Sequence, residues 1–75
     1  MLNKKVKLLV NNKLRFKGVL TRLSIQESCL IVMYQDINTL DESIETFYKI
    51  EDMYMEKNFI TFYDHQNNSI IIKKL

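Results

Sequence analysis

Apolar and polar residues take turns, one for one, along most of this chain, and a period of two is the signature of β-strands with one buried face. In Lys5-Val6-Lys7-Leu8-Leu9-Val10, the residues Val6, Leu8 and Val10 share one face while Lys5 and Lys7 share the other. Leu14 and Phe16 alternate with Lys13, Arg15 and Lys17 in a second strand, and Asn11-Asn12 between the two is turn chemistry, since asparagine tolerates positive φ. Beyond Gly18, the residues Val19, Thr21, Leu23 and Ile25 run in the opposite parity to Leu14 and Phe16. A glycine at such a switch predicts a bulge or sharp bend, so that one long strand serves two sides of a barrel.

A turn is expected at Gln26-Glu27-Ser28, followed by Cys29 to Tyr34, which is apolar on both faces and reads as a central strand. Gln35 to Ser43 reads as a polar loop. The sequence further predicts a strand over Thr46–Lys49, a tight turn at Glu51-Asp52 and a return strand from Met53. Leu40, Ile44, Phe47 and Met55 also fall near one helical stripe, which adds one short helical turn near 38–45 as an alternative. Asn58 to Asp64 and Ser69 to Lys74 form the last hairpin around His65-Gln66-Asn67-Asn68. With 75 residues there is room for one domain, 1–75. The expectation is an all-β, small bent antiparallel barrel of five to six strands, because so short a chain must hide its sheet edges.

Several classes are excluded on composition. The longest apolar run is Cys29 to Tyr34, far short of the ~20 residues that span a bilayer, and Met1 to Lys5 opens no secretory signal. A lone cysteine makes no internal disulfide, so a reducing, cytoplasmic setting is expected. Alanine, proline and tryptophan are missing while Ile, Asn and Lys abound, the usage of AT-rich coding as in a low-GC bacterium or a phage.

Charge is laid out unevenly although the net is only +2. Lys4, Lys5, Lys7, Lys13, Arg15, Lys17 and Arg22 precede the first acid, Glu27. The middle then carries Glu27, Asp36, Asp41, Glu42, Glu45, Glu51, Asp52 and Glu56 against Lys49 alone. Such asymmetry suits a basic face for nucleic acid, a self-complementary surface between subunits, or plain solvated strand faces.

Catalytic constellations are lacking. Cys29 opens an apolar strand and reads as a core thiol rather than a nucleophile served by His65. His65 sits in a turn with no second His or Cys at ligand spacing. Adjacent acids such as Glu51-Asp52 and Asp41-Glu42 project to opposite sides of a strand and form no acid–base pair. A single glycine makes no phosphate loop, so neither enzyme activity nor a cofactor or metal is expected. Phe16, Phe47, Phe59 and Phe62 are expected in the core. Tyr34, Tyr48, Tyr54 and Tyr63 border strands, where they either cap the sheet or stack on bases.

One stretch carries a family likeness. Val10-Asn11, a turn at Asn12-Lys13, the four residues Leu14 to Lys17, Gly18, then Leu20, with Ser24 and Ser28 further on and Leu30–Val32 opening a third strand, resemble the first motif of the Sm-like proteins, the family of Sm, LSm and bacterial Hfq. Tyr48-Lys49 is similar to the Tyr-Lys that opens the second motif of Hfq. The likeness covers about half the chain. Lys13 stands in place of the turn glycine, Ile50 in place of an RNA-contacting histidine, and the Arg-Gly or Lys-Gly of the second motif is absent. Phe47 to Phe62 also resembles the Veg proteins of Gram-positive bacteria. The Sm-like resemblance implies a small barrel that binds RNA.

The functional expectation is a non-enzymatic small β-barrel that binds single-stranded RNA or DNA through Lys5, Lys7, Lys13, Arg15 and Lys17, with Arg15 the strongest contributor and Lys73 peripheral. The alternative is a protein–protein interaction module, such as a phage or mobile-element regulator or inhibitor, with a host protein as partner. Ile70-Ile71-Ile72 cannot all face one core, which predicts a homo-oligomer, a dimer or a small ring.

Overall fold

The computed structural model describes all residues from Met1 to Leu75 as strands and turns, with no helix. The strands are β1 (Lys5–Val10), β2 (Lys13–Gln26), β3 (Cys29–Asp36), β4 (Glu42–Phe47), β5 (Ile50–Met55), β6 (Phe59–Asp64) and β7 (Ser69–Lys74). They form one sheet in the order β4-β3-β2-β1-β7-β6-β5, every neighbouring pair antiparallel. The all-β expectation holds, but the strands number seven, and the edge strands β4 and β5 are not hydrogen-bonded to each other. The sheet is therefore open in its hydrogen bonding rather than a closed barrel of five or six strands.

Open does not mean flat. A flat sheet is a single layer about 10 Å thick, whereas the molecule measures 33 × 22 × 20 Å. Eleven buried apolar side chains from six of the strands, Val6 and Phe62 among them, form one cluster. One sheet gathers them only by curling until its concave face packs against itself.

Two bulges in β2 produce much of that curl. Leu8 pairs with Phe16 but Leu9 pairs with Leu14, leaving Arg15 as the extra residue; Leu20 pairs with Tyr34 but Arg22 with Met33, leaving Thr21 extra. Each extra residue bends the strand and shifts the facing of its neighbours along the chain. Hence Leu14 is exposed while Phe16 is buried, and burial continues through Gly18 and Leu20 before the parity changes at Thr21. The expected switch at Gly18 is thus displaced by three residues.

The turns are built from left-handed residues. Asn11 and Asn12 have φ of 51° and 66°, and Glu27 and Ser28 have 51° and 64°, the two-residue geometry whose twist matches a hairpin. Asparagine accepts this conformation, while in glutamate and serine it crowds the Cβ. Replacing Glu27-Ser28 by Asn-Gly is expected to raise unfolding free energy by about 1–2 kcal/mol, read as a higher urea midpoint at unchanged m-value.

Two carboxylates organise the longer turns. Asp36 Oδ1 accepts from the amides of Asn38 and Thr39 at 2.7 and 3.0 Å, and Leu40 N–H donates to the Asp36 carbonyl. This side-chain-capped turn replaces the helical turn expected near 38–45, and β4 begins at Glu42. Asp64 Oδ1 accepts from the amides of Gln66 and Asn68, and its Oδ2 from Asn68 Nδ2 at 2.9 Å. The Thr39 and Asn38 amides hold the Asp36 carboxyl below its ordinary pKa, and the Asn68 side chain does the same for Asp64. A depressed folded-state pKa stabilises the native state in full above the ordinary value near 3.8, and the contribution disappears as pH falls through the depressed values. The urea midpoint is expected to hold steady down to about pH 5 and drop below about pH 4, with a smaller drop in Asp64→Asn.

The chain differs most from expectation at residues 46–55. Glu51-Asp52 is not a turn but lies inside β5, with Glu51 as a bulge, and the real crossing is Tyr48-Lys49. Lys49 has φ of 57°, its carbonyl accepts from His65 N, and Ile50 N donates to the Ser28 carbonyl. That crossing carries the chain from one edge of the sheet to the other, so β5 is no return strand to β4.

Candidate nucleic-acid interface

Directly paired residues in an antiparallel ladder project from the same face. Val6 and Leu8 are buried, so Lys5, Lys7 and Leu9 project from the convex face of β1. Lys7 pairs with Lys17 on one side and with Lys73 on the other, and Lys73 pairs in turn with Phe59. The result is a cross-strand row, Lys17–Lys7–Lys73–Phe59, over β2, β1, β7 and β6. At a strand spacing of ~4.8 Å the three ammonium stems span about 10 Å. Lys5 lies two residues along β1, beside Val19.

Like charges placed directly opposite destabilise a sheet. No carboxylate relieves this row, because the one ion pair in the protein is Arg15–Glu45. Next to the row lies a shallow depression of about 200 Å³ lined by Leu9, Phe59, Ile71 and Lys73. Phe59 is 37% exposed rather than in the core as expected, and its alternation partners Thr61 and Tyr63 share its face. Further along, Tyr63 meets Tyr54 edge to face, with ring centroids 5.9 Å apart. Phe16 and Phe62 are buried as expected, Phe47 is half-buried, and Phe16 stacks on Tyr34.

The five cations singled out in the sequence do not share one face. Lys5, Lys7 and Lys17 lie on the convex face. Lys13 pairs with Val10, which follows the parity of Val6 and Leu8, so the Arg15 bulge sends it away from the row. Arg15 Nε donates to Glu45 Oε1 at 2.9 Å, and Glu45 pairs with the buried Val32, which places that contact toward the concave side. The Glu45 carboxylate holds the Arg15 guanidinium pKa above its ordinary value, first by this hydrogen bond and then by charge. Lys73 and Phe59 are the residues that sequence reasoning missed. Their facing was readable from alternation, but their position beside Lys7 depends on the β1–β7 and β6–β7 registers.

Elsewhere the chemistry is sparse. Cys29 is half-buried at the start of β3, in the outward parity of Ile31 rather than in the core. His65 is an exposed turn residue, and no group of three metal-capable side chains occurs. No helix is long and apolar enough to cross a membrane. No protein-family model, no curated protein and no solved structure matches the chain.

Proposed function

We propose that this protein is a non-enzymatic binding module of small-barrel, Sm-like character that holds single-stranded nucleic acid on the convex face of its curled sheet. The observation that carries this reading is the unrelieved row Lys17–Lys7–Lys73 ending on the exposed ring of Phe59. Phosphates neutralise the lysines while a base stacks on the ring, a mode that tolerates any sequence. Duplex offers no free base face, so single strands are preferred.

Fluorescence anisotropy with labelled U15 and dT15 at about 50 mM salt is expected to give micromolar dissociation constants. Lys73→Glu should weaken binding about tenfold and Lys13→Glu by less than twofold. Equal effects of the two, or no binding, remove the reading. The apolar row Leu14–Leu9–Ile71 on the same face favours a second reading, contact with another copy of the chain as a dimer or small ring. Light scattering that gives a 9.0 kDa monomer at micromolar concentration removes that one.

A further inference from the structure

We propose that the open seam between β2 and β5 binds an extended, basic segment of a partner protein by strand addition. Two backbone edges meet there. β1 uses one edge of β2 as far as Val19, and Lys4 and Asn3 bond to Leu20; from Thr21 to Gln26 that edge has no strand partner, while the other edge holds β3. β5 is the last strand of the sheet and pairs with β6 alone; the Ile50 N–H, which donates to the Ser28 carbonyl, closes one end of the seam and leaves Met53 to Met55 without a partner on that side. Glu56 N–H donates to the Phe59 carbonyl, so by alternation Tyr54 and Asp52 also face β6, and the N–H and C=O groups of Met53 and Met55 point outward. Unpaired edges of this kind are templates for a further strand.

Between the two edges runs an open groove of about 150 Å³ lined by Leu23, Ile25, Leu30, Met53, Met55 and Phe62. Small-molecule sites have about 300–1,000 Å³, so this one suits an aliphatic side chain or two from an alternating strand. Met53 and Met55 are 50% and 68% exposed, and their flexible thioethers adapt to whatever side chain enters. β2 and β5 run antiparallel along the groove, since Leu23–Ile25 flank Met53 and Met55 while Gln26–Ser28 flank Ile50–Asp52. An inserted strand is therefore parallel to one and antiparallel to the other.

Charge selects the occupant. The adjoining depression at the β2–β3 turn is lined by Glu27, Glu51 and Asp52 with no cation, and Glu56 follows β5. None of these acids is in an ion pair. A second copy is a poor fit, because the free edge strands it offers are β4, with Glu42 and Glu45, and β5 itself, with Glu51 and Asp52, while the free edge of β2 carries one cation, Arg22, and leads into Glu27. Acid would meet acid. A segment that alternates Lys or Arg with Val, Ile or Leu brings the opposite charge to the rim and apolar side chains to the floor.

The test uses the full chain, labelled with nitrogen-15, and two end-blocked five-residue peptides, Lys-Val-Lys-Val-Lys and Glu-Val-Glu-Val-Glu. The lysine peptide is expected to bind at least about tenfold tighter, to shift amide signals of Leu23–Gln26 and Met53–Met55, and to slow hydrogen exchange at Met53 and Met55. Glu51→Lys with Asp52→Lys should lose about tenfold in affinity, and Met53→Arg should lose binding. Lys7→Glu with Lys17→Glu should leave it unchanged, and U15 should not compete. Equal binding of the two peptides, shifts confined to the lysine row, or exchange protection that rises with protein concentration without peptide would each overturn the proposal.

Discussion

Gly18→Val is expected to remove a large part of the folding free energy, about 3 kcal/mol or more against the ~4–11 kcal/mol available to a domain of this length. The reason is close approach rather than backbone conformation, for Gly18 does not have positive φ. A Cβ at this position would overlap the Gln35 carbonyl oxygen and lie 3.2 Å from its carbon, both main-chain atoms of β3. Main chain in a ladder cannot rotate aside. Gly18 pairs with Val6 on β1 and with Asp36 on β3, so a shift that relieves one contact breaks the other ladder. Circular dichroism should record a melting temperature lower by about 12 °C or more. Gly18→Ala should already be destabilised. A drop of only a few degrees for valine would mean that β2 and β3 separate more easily than the register implies.

The second large effect is expected from charge reversal on the lysine row. Lys7→Glu with Lys17→Glu should cut affinity for U15 by about a hundredfold or more, since two attractive phosphate contacts become repulsive within a single row. The same pair should cost little stability, because it breaks no ion pair, exchanges one like-charge pair across β1 and β2 for another, and gives Lys73 a carboxylate opposite it. Lys17→Thr separates the two roles further. It should stabilise the fold by a few tenths of a kcal/mol by relieving cross-strand repulsion while weakening binding severalfold. A lysine row that were only a solvated face would show the first change without the second.

Alternation made the strands with one buried face legible. β1, β6 and β7 lie where the period of two put them, and so do the asparagine turn at Asn11-Asn12 and the outward projection of Ile71 between the buried Ile70 and Ile72; β3 was marked instead by its unbroken apolar run and extends two residues past it, to Asp36. The edge strands were not legible in the same way. β4 is exposed along most of its length and β5 from Glu51 onward, so neither carries a regular apolar face for a period to mark. Bulges are similarly silent. Arg15 and Thr21 are extra residues because of how two ladders meet on one strand, and nothing in their own side chains announces it. That silence decided the candidate site: the bulge at Arg15 removed Lys13 and Arg15 from the face where Lys17 remains. Lys73 joined it only through a pairing made by the far end of the chain.

The salt dependence of U15 binding bears on the lysine row more closely than any single affinity. Three row lysines, with Lys5 beside them, neutralise three to four phosphates, for which the log of the association constant should fall against log salt with a slope of about −2 to −3. In Lys7→Glu with Lys17→Glu, any residual binding should show a slope of about −1 or flatter. A wild type with no measurable affinity at about 50 mM salt, or a slope that the double substitution leaves unchanged, would contradict the assignment of the convex lysine row to nucleic acid.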